Sequence, residues 1–313
     1  MTVVSVVIPA LNAAGTIGAT LDALERQDLG QPYEVIVVDN GSTDDTAEIA
    51  RQAAGPVTVL TQSPQRPGAA RNRGAAEASS PTLAFTDADC VPTPSWLRAG
   101  LAAMEKADLV QGAVRPDPRA PRDPFDRTVS VTRQVGLFET ANLLVSRDLF
   151  FDVGGFEDWL ATDINRPFGE DVWFGWRAQR AGARVEFCEQ ALVYHAVFPR
   201  SALRYVSERH RLAYFPALVA RIPELRRELL YGRVFLGPKT AAFDGAALGV
   251  ALASGASSAW PLLAAAPYAW LVARQSRPWG RRAPRVAAVE LAADALGLAS
   301  LAWGSIVRRA PVL

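Results

Sequence analysis

Thr82-Leu83-Ala84-Phe85-Thr86-Asp87-Ala88-Asp89 is the stretch on which the reading of this chain turns. An apolar run ends in two aspartates one residue apart. The run predicts a buried strand, and an open α/β sheet takes its ligands at the carboxyl ends of its strands. Two hard oxygen ligands there suit Mg²⁺ or Mn²⁺, and such an ion suits a diphosphate. A single Asp after a strand is as readily a helix cap. Two flanking a small residue repel one another unless a cation intervenes.

Outward from this stretch the first half alternates between strand and helix. Residues 3–9 predict a strand and 14–27 a helix with Ile17, Leu21 and Leu24 on one face. Residues 33–39 predict a strand covered on both faces, and 44–54 a helix capped by Ser42 or Thr43. A strand at 57–61 and a helix at 68–78 lead into the quoted run. This order implies an α/β fold with a doubly wound, mostly parallel sheet. Further strands are predicted at 108–114 and 141–146. Residues 115–124 hold four prolines and predict an exposed loop on the acceptor side. An aromatic helix lies within 168–181, short strands at 184–187 and 192–195, and a helix at about 200–214.

The 313 residues suffice for one large catalytic domain, expected at 1–231, and an appendage at 232–313. Half the residues are hydrophobic and the net charge is +1, so no global field favours nucleic acid. Cys90 and Cys188 are the only cysteines, which excludes a disulfide framework and points to a reducing cytoplasm. The opening strand carries no signal-peptide pattern.

The appendage is predicted as a hydrophobic helical tail. Residues 245–273 are almost uncharged, and 286–307 form a second apolar stretch that holds Glu290 and Asp294. Arg274, Arg277, Arg281, Arg282 and Arg285 separate the two. About 20 apolar residues can span a bilayer. A re-entrant hairpin broken near Pro261, or helices lying in the interface with Arg, Trp and Tyr at headgroup level, keeps the Arg loop on the cytoplasmic side. A soluble helical appendage and a dimer interface are the alternatives. The expected location is the cytoplasmic face of the membrane.

Several residues have the chemistry for a site. Asp39 ends a strand and opens Asp39-Asn40-Gly41-Ser42-Thr43-Asp44; it can accept a hydrogen bond from a base or ribose, or simply form a turn. Glu170 and Asp171 follow Arg166-Pro167-Phe168-Gly169. They fit a first helical turn, and a carboxylate beside aromatic walls such as Trp173 is also raised toward a general base. His195 ends a strand-like run and is either structural or a metal ligand. Gly68-Ala69-Ala70-Arg71-Asn72-Arg73-Gly74 opens a helix from which Arg71 or Arg66 can reach a phosphate.

Taken together these segments resemble family 2 glycosyltransferases of the GT-A fold over about residues 3–215. Val3 to Asn12 is similar to the family's first strand and Pro-x-x-Asn turn, and Val35 to Thr46 to its base-binding segment. Gly68 to Gly74 resembles the Ala-Arg-Asn-x-Gly helix, and Asp87-Ala88-Asp89 the Asp-x-Asp motif. Gly154-Gly155-Phe156-Glu157, Glu170-Asp171 and Arg177 resemble the Gly-Gly-Phe to Glu-Asp-x₅-Arg block. The resemblance implies that Asp39 holds the nucleobase and that Pro9, Ala10 and Asn12 line the nucleotide pocket. It implies Asp89 and His195 as ligands of Mn²⁺ or Mg²⁺, Asp87 near the ribose, and Arg71 against the diphosphate. Asp171 becomes the catalytic base, with Glu170, Trp173 and Arg177 on the acceptor side. The implied reaction moves one sugar, with inversion, from a nucleoside-diphosphate sugar, UDP by default, to a hydroxyl acceptor. A lipid-linked acceptor in glycolipid or bacterial cell-envelope synthesis is one candidate, and a homo-oligomer stays open. No Gln-x-x-Arg-Trp sequence is present, so one sugar per cycle is expected. A catalytically silent nucleotide-sugar-binding scaffold is the rival reading. A sugar-1-phosphate nucleotidyltransferase would want a glycine-rich basic loop after the first strand, where Pro9 to Gly15 stands.

Overall fold

The computed structural model describes residues 1–160, 168–255 and 259–313, which divide into two compact units. Arg166 and Pro167 lie outside the described residues. The first unit comprises residues 1–121 and 128–198. Its sheet is built from β1 (Ser5–Ala10), β2 (Glu34–Asp39), β3 (Val57–Thr61), β4 (Thr82–Thr86), β5 (Cys90–Pro92), β6 (Leu109–Pro116), β7 (Asn142–Ser146) and β8 (Val185–His195), in the order β3-β2-β1-β4-β7-β6-β8-β5. The first four in that order are mutually parallel. Strand β7 runs antiparallel to β4 and β6, and β5 antiparallel to β8. The mostly parallel, helix-flanked sheet is the expected one.

The pattern follows from burial. Val35, Ile36, Val37 and Val38 of β2 are all buried, as a strand covered on both faces requires. The helix Ile17–Glu25 turns Ile17, Leu21 and Leu24 inward. The helix Pro67–Glu77 lies so close to the sheet that a Cβ on Gly74 would stand 2.4 Å from Val7 Cγ1. Asn142 is fully buried and ties three elements: its amide donates to the carbonyls of Ala113 (2.8 Å) and Ala191 (2.7 Å), and its oxygen accepts from Trp96 Nε1 (2.8 Å). One buried polar group left unsatisfied costs about 1–3 kcal/mol.

Several local expectations are corrected. Arg115 and Pro116 extend β6, paired with Tyr194 and His195, so the proline loop begins only at Asp117. A proline at a strand end loses no essential ladder bond. The two short strands expected at 184–195 are one strand, with a register shift opposite Gly112/Ala113. The second helix is Thr46–Gln52 with no side-chain cap, because Ser42 and Thr43 bond Asn12 instead. The helix expected at 200–214 is an α-helix, Ala202–Ser207, followed by a 3₁₀ segment, Glu208–Tyr214.

The second unit comprises Pro199–Leu313 with Arg122–Arg127. Residues 199–231, expected with the catalytic domain, therefore cluster with the tail. Tyr205 of that segment donates to Glu290 (2.8 Å), and within the tail Lys239 pairs with Glu290 and with Asp294 (2.7 Å) while Tyr268 donates to Asp294 (2.8 Å). The carboxylates in the apolar stretch thus find partners inside the unit, as buried charges must. Trp260–Arg308 is a helical run long and apolar enough to cross a membrane by length and composition, interrupted by a non-helical Gly280. Trp260, Leu263, Trp270, Trp303 and Ile306 expose their side chains.

Candidate active site

Parallel pairing sets the site. Ala10 is in register with Asp39, and β4 runs alongside β1 in the same direction. Asp39 and the turn Asp87-Ala88-Asp89 therefore emerge at one end of the sheet, where such sheets bind ligands.

At the outer end two turns are cross-tied. Asn12 Oδ1 accepts from Thr43 N (2.8 Å), and Asn12 N donates to Ser42 Oγ (3.0 Å). Ala13 N donates to Thr46 Oγ1 (2.7 Å) and Ala14 N to Asp44 (3.1 Å). Asp39 is buried, and its Oδ1 accepts from Ser42 N (3.2 Å). Gly41 has φ +82°, and a Cβ there would meet Pro64 at 2.6 Å, so this turn requires glycine. Pro9 and Ala10 form the strand end beneath these turns. Asn40 locks the next loop by accepting from Gln62 Nε2 (2.8 Å) and Gln65 N (3.0 Å).

The aspartate turn is closed by Cys90 N donating to Asp87 O (3.1 Å) and held from behind by Thr20 Oγ1 on Ala88 O (3.1 Å). Strand β8 brings His195 beside Asp89, with Nε2 3.6 Å from Oδ1. Nδ1 lies 2.7 Å from the Ala196 carbonyl, so Nε2 is the ring nitrogen turned to the carboxylate. A carboxylate and an imidazole nitrogen side by side are two ligand types that a divalent cation accepts. Donor atoms of Asp89, Cys90 and His195 all lie within 4.8 Å of one another. These residues therefore fit a divalent ion.

Arg71 occupies the inner side. It is 6 % exposed, bonds Asp87 at 2.7 Å and approaches Glu170 at 3.9 Å. Burial opposes its charge, but Asp87 and Glu170 outweigh that and hold its pKa above the ordinary value. Its guanidinium thus organises two carboxylates, Asp87 and Glu170. Asp171 opens the helix Glu170–Arg180. Burial first, then Glu170, pushes its carboxyl well above the usual range, against the opposing Val172 N–H and Arg71.

The residues expected on the acceptor side divide. Glu170 is buried against Arg71, and Arg177 clasps the turn ahead of it through the carbonyls of Val153 and Gly155 and the carboxylate of Glu157 (3.0 Å). Trp173 is half-buried and donates to Glu157 (2.8 Å). A polar side chain inside a packed turn acts as its tie, which explains the inward placement. Two positions escaped the sequence reading. Asn72 exchanges two bonds with the Phe156 backbone (2.8 and 2.9 Å), and a Cys90 donor atom lies within 4.8 Å of those of Asp89 and His195. An Asn in a basic helix and a Cys after an Asp carry no local signal of either role.

Comparison with known proteins agrees with this arrangement. The sequence pattern of Glycosyl transferase family 2 matches residues 5–157. Glycosyltransferase AglE of Haloferax volcanii is 35% identical over 211 residues, covering 63% of this chain and 67% of AglE. Validoxylamine A glucosyltransferase of Streptomyces hygroscopicus subsp. jinggangensis is 29% identical over 221 residues, covering 57% of this chain and 51% of that enzyme. The chain thus spans two thirds of the first relative and about half of the second. The mannosyltransferase PcManGT of Pyrobaculum calidifontis, solved with GDP-Man and Mn²⁺, shares the fold, with a TM-score of 0.64 and 22% identity over 94% of this chain and 86% of its own. A GT-A-like sheet with its aspartate turn at the ligand-binding end, and a family pattern covering that turn, lead to one assignment: the chain belongs to glycosyl transferase family 2 and is a glycosyltransferase.

Proposed function

We propose that the protein transfers a single sugar, with inversion, from a nucleoside-diphosphate sugar to an acceptor hydroxyl, with a divalent cation as cofactor. The observation that carries this reading is the convergence of the Asp89 and His195 side chains, 3.6 Å apart, beside Asp87 and its Arg71 tie. Asp39 receives the nucleobase, with UDP favoured, above the turns that hold Asn12. Asp87 lies by the ribose. A bound Mn²⁺ or Mg²⁺ supplies charge neutralisation to the departing diphosphate. Asp171 takes the proton of the acceptor hydroxyl as its oxygen bonds the anomeric carbon and the bond to the diphosphate breaks on the opposite face. The raised carboxyl of Asp171 supports that role, because a base works best with a pKa near the working pH.

The donor is tested by melting the protein with UDP-, GDP- and dTDP-sugars, each with and without Mn²⁺. One nucleotide should raise the melting temperature only with the metal. At a hundred times Kd the gain is about 2.7 kcal/mol. Equal shifts with every nucleotide, or with none, would remove the reading.

The exposed Trp260, Leu263, Trp270 and Trp303, together with the arginines at 274–285, support attachment to the cytoplasmic membrane face and a lipid-linked acceptor. The full chain should sediment with membranes after a high-salt wash and be released by detergent. Recovery in the soluble fraction without detergent excludes the attachment.

A further inference from the structure

We infer that Cys90 is a sulfur donor in the same cation centre as Asp89 and His195, and that it tunes the centre toward softer divalent ions. The inference rests on the cation site proposed above. Strand β5 begins at Cys90, and its register sets Cys90 directly across from His195 of β8. Residues opposed in an antiparallel pair stand on the same face, with Cβ atoms about 4.5–5.5 Å apart. The bond from Ala196 N to Asp89 O, 2.9 Å, fixes Asp89 beside this pair. One carboxylate oxygen, one sulfur and one ring nitrogen thus lie within 4.8 Å of one another, a separation that small side-chain adjustments can close around a single ion.

The chemistry of the three donors differs. Carboxylate and imidazole accept Mg²⁺, Mn²⁺ or Zn²⁺, whereas thiolate sulfur favours Zn²⁺ and other soft ions over Mg²⁺. On binding, the thiol releases its proton to solvent and the sulfur lone pair forms the bond to the ion, with no change of oxidation state. Cys188 stands apart, with its sulfur 3.6 Å from the Ala99 carbonyl. The chain therefore offers a single thiol to this centre.

The test uses the full chain loaded with Co²⁺ in the presence of UDP. A near-ultraviolet sulfur-to-cobalt charge-transfer band is expected. It should vanish in Cys90→Ser, persist in Cys188→Ser, and leave the visible cobalt bands of Cys90→Ser in place. Competition titration should show the ratio of Zn²⁺ to Mg²⁺ affinity falling by about 10–100-fold in Cys90→Ser, at least the loss seen when a metal ligand's support is removed. Should that variant misfold, X-ray absorption of the Zn²⁺-loaded native protein decides alone. A sulfur shell at about 2.3 Å supports the inference, and a shell of nitrogen and oxygen only, at about 2.0–2.2 Å, overturns it. Cobalt that binds without a sulfur band defeats the Cys90 assignment and leaves the cation site standing. Failure of cobalt to bind at all defeats both.

Discussion

Replacing Asp171 by Asn is expected to lower kcat by about 10²–10⁴-fold, the range a positioned general base contributes. Donor affinity should stay unchanged, because the hydrogen bonds described for the turns around Asn12 and Asp39 do not include this side chain. The argument starts from burial, which with Glu170 pushes the Asp171 carboxyl well above the ordinary aspartate range. A base must be unprotonated to act. In the native enzyme kcat/KM should therefore climb with pH along a limb displaced above that range, and the limb should disappear in the variant. The linkage has a definite sign. The folded protein holds this proton more tightly than the unfolded chain, so the group's stabilisation is complete below the ordinary aspartate value and is lost as pH rises through the raised one. Asn carries no such penalty. At neutral pH the variant should melt at or above the native temperature, with the difference shrinking in acid. Turnover within tenfold of the native rate would remove Asp171 from the mechanism.

Asp89→Ala should reduce kcat/KM by about 10³-fold. A Lewis-acid contact to a leaving group contributes several kcal/mol, and each 1.36 kcal/mol is a factor of ten. The variant should also lose the Mn²⁺-dependent rise in melting temperature with the nucleotide sugar, which separates loss of the ion from loss of the base. Chelation of the native enzyme should reproduce the same loss, and added Mn²⁺ should reverse it. Activity that survives both the substitution and the chelator would exclude the cation from the reaction. His195→Ala should follow in the same direction with a smaller effect, since the carboxylate supplies the charge.

Much of the sheet was legible because its cause is local. Alternating apolar runs and amphipathic helices encode β1 to β4, and the aspartates that follow β2 and β4 reach one end of the sheet through nothing more than parallel pairing. Strand β5 is three residues long and carries no periodicity, so the Cys90–His195 pairing could not be read from the chain. The ties of Arg71 to Asp87 and Glu170 could not be read either, because they join residues far apart in the chain. The contacts of Arg177 and Glu170 were hidden in the same way, since a charged side chain reads identically whether it faces a substrate or ties a turn. The grouping of residues 199–231 with the tail was not legible either, since a link such as Tyr205 to Glu290 joins residues 85 positions apart.

The cross-ties between the turns after β1 and β2 bear on how this protein can diversify. Asn12, Ser42, Thr43, Asp44 and Thr46 satisfy one another's hydrogen bonds or those of neighbouring backbone, so changing one leaves another unmet. Substitutions among residues that share a network do not add. Natural variation at this end of the sheet would then proceed by exchanging these positions as a set, and a library that mutates them singly would sample mostly dead ends.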